Sequence, residues 1–305
     1  MVAELAKPEE PVVWRLEELV QDGSLTILAA RGGVGKSWVG MAACRAVVAG
    51  EAFADIGAEQ GRAVYVDGEM GTKMMARRFR SAELEGTAFD YFDATGLDLG
   101  NEAGMAALEE RLSDLAPRLV ILDSLRRLTP GRGENESDDM APLVGRLAVM
   151  ARNLDAGLIL LHHSGIGDPP RYIRGSTAIG DQADAVLGLD RVKDGSLLLS
   201  CDPGRGGKMR GAPEPPDRYL RLSLGHRGVV VPSAYSADTT TPHRTAQERA
   251  EEAIVDTNVL QRALSYAATF GYTVWLRPQD AFVGKGGVAH SGPLASRLGL
   301  SGVPV

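Results

Sequence analysis

Eight residues, Ala30 to Ser37 (ARGGVGKS), stand between an apolar run, Leu25–Ala29, and an alanine-rich stretch from Trp38 to Ala49 that reads as a helix. In a loop of this kind consecutive backbone N–H groups curl around an anion, and the N-terminus of the next helix adds partial positive charge. Lys36 is placed to reach the β- and γ-phosphates of a nucleotide, and the Ser37 hydroxyl to ligate Mg²⁺. The nucleotide-contacting set is therefore Ala30, Arg31, Gly32, Gly33, Val34, Gly35, Lys36, Ser37 and Trp38, with Ala30 where a first glycine usually stands. The competing reading is a glycine-rich turn that merely opens a helix.

Three further apolar runs end in polar residues. In YVDGEMG, residues 65–71, a strand delivers Asp67 and Glu69 to the edge of a sheet where ligands bind. A carboxylate beside a terminal phosphate can orient and deprotonate water, whereas an acid in a first helical turn can equally serve as a cap near Thr72. RLVILDSLRRL, residues 118–128, ends its strand at Asp123. An acid at a buried strand end needs a cation or donors to offset desolvation, and hydrated Mg²⁺ would serve. GLILLHHSG, residues 157–165, ends at His162 and His163, which point in opposite directions, so at most one faces the nucleotide. Structural histidines are the alternative.

The elements that must position these residues alternate along the chain. Strands are expected at Leu25–Ala29, Ala63–Asp67, Phe89–Asp93, Leu119–Asp123, Leu158–His162, Ala185–Leu189, Ser196–Ser200 and Tyr219–Leu224, with helices at 35–49, 71–85, 102–116 and 138–155. That order predicts an α/β fold with a mainly parallel central sheet flanked by helices and antiparallel hairpins at one edge. It occupies residues 1–231; residues 232–243 read as a Ser/Thr/Asp/Pro linker, and 244–305 as a small region with a helix at 244–270 and a strand at Tyr272–Leu276, winged-helix-like or partly disordered.

Composition narrows the classes. The 305 residues are 44% hydrophobic and 24% charged, as in an ordinary globular protein, and no apolar run approaches a membrane span. The N-terminus lacks an apolar signal core, and two isolated cysteines, Cys44 and Cys201, make neither a disulfide framework nor a metal pair, so a cytoplasmic location is expected. A net charge of −7 leaves contact with DNA to local basic loops. Two loops qualify: Arg126 to Asp139, with Arg126, Arg127 and Arg132, and Ser164 to Arg174, with Arg171, Arg174 and a Tyr172 that can stack on a base. Such loops also commonly surround a nucleotide site without binding nucleic acid.

With these motifs in this order the chain resembles the RecA-like hexameric ATPases, closest to helicases of the plasmid RepA and DnaB type, over roughly residues 12–231. The likeness rests on ARGGVGKS, YVDGEMG followed by Arg77 and Arg78, VILDS, LLHHSG, RGSTAIGDQADAVLGL at 174–189 and KMRGAP at 208–213. It implies an ATP- and Mg²⁺-dependent hydrolase in which Glu69 is the catalytic base, Asp123 the second acid of the metal site and His163 the γ-phosphate sensor. Asp181, Gln182 and Asp184 then lie at a helix-to-strand junction near a subunit interface. Lys208 and Arg210 would reach into a neighbouring subunit's site, which implies a homo-oligomer, a hexameric ring, with single-stranded DNA as partner and no membrane. The segment from Asp202 to Arg227 carries six Lys/Arg against three Asp/Glu, which is also what a solvated basic turn would show. Alternatives are a RecA-like recombination, repair or regulatory ATPase without unwinding, and a ParA-type partition ATPase, whose loop has Lys where this chain has Arg31.

Overall fold

The computed structural model describes residues 11–53, 55–81, 89–133, 137–165, 167, 169–224 and 230–234, with two-residue strands at 289–290 and 302–303. The chain divides into two compact units, Met1–Ala237 and Asp238–Val305. In the second, the described residues are a parallel pair of strands, Ala289–His290 and Gly302–Val303. The expected helix at 244–270 and strand at Tyr272–Leu276 lie outside the described residues, as does most of the linker.

In the first unit a two-stranded antiparallel ribbon, β1 (Trp14–Leu16) and β2 (Val20–Gln21), precedes β3 (Leu25–Ala30). Then follow α1 (Lys36–Ala49), β4 (Ala63–Asp67), α2 (Thr72–Ser81), β5 (Asp90–Asp93), α3 (Glu102–Leu115), β6 (Leu119–Asp123), α4 (Leu125–Leu128), α5 (Ser137–Leu154) and β7 (Gly157–His163). After α6 (Thr177–Gln182) come β8 (Ala185–Arg191), β9 (Leu197–Ser200), β10 (Lys208–Met209), β11 (Arg218–Leu224) and β12 (Val230–Ala234). The sheet order is β12-β11-β9-β8-β3-β7-β6-β4-β5, with β10 also on β8. The six strands from β8 to β5 run parallel, and β9, β10, β11 and β12 pair antiparallel at one side.

The strand bearing the phosphate loop, β3, lies inside the sheet between β8 and β7, and all six of its residues are buried. A strand covered on both faces needs apolar side chains in both directions, which explains unbroken runs such as LTILAA and LVILD. Alternate residues then build two cores. Tyr65, Leu119, Ile121, Ile159 and Leu161 pack beneath α1, whereas Val64, Val66, Val120, Leu122, Leu158 and Leu160 pack with residues of α3 and α5. Helix ends follow local chemistry: the Asn101 side chain accepts from Gly104 N–H to start α3, and Gly50, in the left-handed region, closes α1.

Eight expected strands are present with small shifts at their ends. Strand β9 starts at Leu197 rather than Ser196, because Ser196 is held in a turn by the Asp194 carboxylate, which accepts from its N–H at 2.8 Å and its hydroxyl at 2.5 Å. The sequence reading did not anticipate β12, whose residues 232–234 extend the sheet where a linker was expected, nor the short elements β1, β2, α4 and β10. Elements of two to four residues carry too few side chains for a period to show.

Candidate nucleotide site

Strands β3, β4, β6 and β7 end side by side. Asp67 lies opposite Asp123, and Ala30 opposite His163. The two-residue period places Asp67, Asp123 and His163 on the α1 face of the sheet, and His162 on the other. The residues singled out in four separate motifs therefore converge on one edge, where the phosphate loop crosses from β3 into α1.

Lys36 is the first residue of α1 and is only 8% exposed. Its ammonium donates to the carbonyls of Ala30, at 2.9 Å, and Arg31, at 3.4 Å, so it lies folded across the loop. Burial pushes its pKa down, opposed by the charges of Asp123 and Glu69. The Ser37 hydroxyl donates to Asp123 Oδ2 at 2.7 Å, and the Tyr65 hydroxyl donates to the same oxygen at 2.6 Å. Asp123 is 3% exposed; burial raises its pKa, and the two hydroxyl donors oppose that rise.

These residues fit a nucleotide with Mg²⁺. A Cβ at Gly32 or Gly33 would meet nothing within 4 Å, so the loop's outer side is open. Gly35, at φ +125°, takes a conformation that side chains strain, and a Cβ there would come within 2.7 Å of Leu222. Mg²⁺ commonly takes one or two carboxylates plus substrate phosphates and water, and a hydroxyl already touching a buried acid is such a donor set. Ala30 fits its place because it is the last residue of β3 and its methyl is buried in the core under α1. Of the remaining loop residues, Val34 is held by Arg191, whose guanidinium donates to its carbonyl at 3.1 Å; Arg31 donates to the Gly167 carbonyl; and Trp38 lies under the Arg78 guanidinium, 5.2 Å from the ring centroid.

The carboxylates of YVDGEMG separate into two jobs. Asp67 is 1% exposed and accepts from the backbone N–H groups of Glu69, Met70 and Gly71 at 2.9, 3.0 and 2.9 Å, and from the Tyr91 hydroxyl at 2.9 Å. Glu69 is exposed and close enough to Lys36 and Asp123 to act on both electrostatically. Capping of α2 falls to Asp93 at the end of β5, which accepts from Thr72 N–H at 2.9 Å and the Thr72 hydroxyl at 2.6 Å. Those donors, with Thr95, hold its carboxyl well below the usual range.

The histidines also divide. His162 is 1% exposed, and its Nε2–H donates to the Arg174 carbonyl at 2.9 Å; Nδ1 has no partner among the described residues. Burial pulls its pKa down to about 4. His163 is half-buried on the phosphate side.

Among the expected DNA loops, Arg126, Arg127, Arg171 and Arg174 are exposed. Arg132 is partly buried: its guanidinium donates to the Gly100 carbonyl at 2.5 Å and pairs with Asp139 at 3.8 Å. The expectation that Tyr172 stacks on a base is overturned. Its ring is fully buried beneath the Arg205 guanidinium, 4.4 Å away, and its hydroxyl shares a 2.6 Å hydrogen bond with Ser200, so no face is left for a base. Arg205, ion-paired with Asp190, was not anticipated as the clamp of this loop.

Lys208 and Arg210 lie elsewhere. Both donate to the Asp181 carbonyl at the end of α6, at 3.3 and 2.7 Å, and Arg210 N–H donates to the Asp184 carbonyl. Asp184 in turn receives Leu25 N–H at 3.0 Å, which fixes the start of β3 beside β8. Sequence reasoning also missed Tyr65. The signal was present in its place two residues before Asp67 on the same strand face.

A mainly parallel sheet with a phosphate loop on an inner strand, a buried lysine, a Ser–Asp pair and a neighbouring exposed glutamate defines an ATPase of the phosphate-loop class. The family described as an AAA domain matches residues 1–168, more than half of the chain, and the chain belongs to it. Among curated proteins, a "Dihydroorotase-like protein" from Pseudomonas aeruginosa is 56% identical over 46 residues, 15% of this chain and 11% of that protein. A "Dihydroorotase-like protein" from Pseudomonas putida is 51% identical over 51 residues, 17% of this chain and 12% of that protein. These matches span little of either relative. No helix among the described residues is long and apolar enough to cross a membrane.

Proposed function

We propose that this ATPase is a ring-forming, DNA-dependent motor of the RecA-like helicase type, of the RepA and DnaB kind, acting in replication, with sites shared between neighbouring subunits. The observation that carries this reading is where Lys208 and Arg210 lie. Strand β10 pairs with the first residues of β8, and Arg210 stands level with the start of β3, whereas the phosphate loop follows the end of β3. The residues from Leu25 to Ala30 separate the two levels by roughly 17 Å. Within its own subunit Arg210 therefore serves the opposite edge of the sheet. Docked on a second copy, the same cations would meet a phosphate edge.

ATP with Mg²⁺ supplies the phosphoanhydride bond to be cleaved. Lys36 exchanges the Ala30 carbonyl for phosphate oxygens, and Glu69, held beside it by the loop that Asp67 braces, takes the proton of the attacking water. His163 senses the terminal phosphate from the end of β7, and a neighbour's Lys208 and Arg210 offset charge on the transferring group. Exposed Arg126, Arg127, Arg171 and Arg174 provide phosphate contacts for single-stranded DNA, repeated around a ring. The burial of Tyr172 favours the alternative, a regulatory or recombination ATPase of the same fold that does not unwind.

The test is ATP hydrolysis with and without single-stranded DNA by wild type, Glu69→Gln and Arg210→Ala proteins. Stimulation by DNA, loss of at least about 100-fold in each variant, and partial recovery on mixing them are expected. Hydrolysis indifferent to DNA selects the regulatory ATPase, and an Arg210→Ala protein as active as wild type removes the shared site.

A further inference from the structure

The role of Tyr65 is not explained by packing alone. Its ring lies wholly buried between β4 and α1, opposite Ile121 in register. Space for it comes from Gly40 of α1, where a Cβ would approach Tyr65 Cε2 to 3.4 Å and Ile121 Cγ2 to 3.1 Å. A phenylalanine would fill that space equally well. The hydroxyl is the part that needs a reason, since a buried phenol costs free energy unless it finds a partner. Its partner is the carboxylate of the candidate metal site, at 2.6 Å, and not a nearby backbone carbonyl.

We propose that Tyr65 is a positioning residue for Mg²⁺ binding: its hydroxyl, with that of Ser37, pins Asp123 in the orientation the metal requires. This rests on the ATPase reading of the site. Both hydroxyls donate to one oxygen, Oδ2: Ser37 from α1 and Tyr65 from β4. Two donors on one oxygen restrict rotation about the carboxylate bond, so the acid is ordered before the metal arrives. Ser37 must also offer its own oxygen lone pair to Mg²⁺, which ties its geometry to the ligand. Tyr65 has no such second task, and its rigid ring, locked between strand and helix, is the fixed member of the pair. Groups that orient a metal ligand in this way typically change metal affinity by roughly 10- to 100-fold when removed.

The experiment follows binding of a fluorescent ATP analogue by the full chain across a Mg²⁺ titration, in wild type, Tyr65→Phe, Asp123→Asn and the double variant, with thermal melts in EDTA to verify folding. Tyr65→Phe is expected to raise the half-saturating Mg²⁺ concentration roughly tenfold, to leave affinity in EDTA unchanged, and to add little when Asp123 is already Asn. Half-saturation equal to wild type, or an equal effect in the Asp123→Asn background, overturns the proposal. Should Tyr65→Phe fail to fold, Tyr65→4-aminophenylalanine keeps a donor at the same reach; half-saturation close to wild type is then expected, and a tenfold loss overturns the proposal. A wild-type protein that binds no nucleotide would instead overturn the ATPase reading and this inference with it.

Discussion

The ends of β4 and β7 pose the same problem and resolve it at different ranges. Each carries one buried polar residue, Asp67 or His162, and one more exposed partner, Glu69 or His163. Asp67 bonds to backbone groups two to four residues ahead and so shapes the loop that presents Glu69. His162 bonds to a carbonyl twelve residues ahead and holds only the return of a long loop, with Arg171 between its two ends. Asp67 shapes the loop directly beside it, whereas His162 fixes only where its loop returns, the stretch between being held by Arg205 at Pro170 and Tyr172 and by Arg31 at Gly167. The difference is one of range: one carboxylate organises adjacent backbone, and one imidazole ties together chain segments twelve residues apart.

Asp67 is the residue whose loss should cost most. Replacement by Ala leaves three backbone N–H groups and a phenol without their charged acceptor, and should destabilise the protein by roughly 4 kcal/mol in urea denaturation while disabling turnover. A variant of near wild-type stability would show that the loop holds its shape without the brace.

The remote anchor is sharpened by pH. An unfolded histidine titrates near 6.5, and in the fold burial lowers His162 to about 4, reinforced by the charges of His163, Lys36 and Arg174 and opposed by the Arg174 carbonyl. Between those values the unfolded chain binds the proton and the native one does not, so this contribution is present above pH 6.5 and lost as pH falls toward 4. It amounts to about 3 kcal/mol. His162→Gln keeps an N–H donor without a titrating group, and its stability between pH 7 and 4 should fall less than that of wild type by about that amount. Parallel profiles would refute the anchor.

The smallest effect concerns the cap. Asp93→Ala removes the acceptor of Thr72 and should cost about 1 kcal/mol, with little change in turnover, because Glu69 is braced by Asp67 and not by the helix end. A large drop in turnover would mean that the start of α2 and the Glu69 loop move as one.

Much of this was legible from residues. The phosphate loop declares itself because glycines, Lys36 and Ser37 act through backbone geometry and short reach, both written in adjacent positions. The parallel strands show as apolar runs since both their faces are covered. The division of labour within polar pairs was less legible. Spacing alone left Glu69 as either base or cap, and Asp93, the residue that takes the capping role, lies in another strand 21 positions after Thr72. Tyr172 looked available for stacking because its neighbours are loop residues, yet Ser200 and Arg205, about thirty positions on, enclose it.

The loop, the order of strands and helices, and the polar residue types at each strand end follow from local geometry and from the periods of apolar side chains, and so are written in the chain itself. Folding alone selects which of those polar groups hold the backbone, brings Tyr65 to Asp123, and sets Lys208 and Arg210 at the far edge from their own phosphate loop. Those outcomes depend on strand register and on which face of the sheet each residue takes, and both are set by packing between segments distant in the chain.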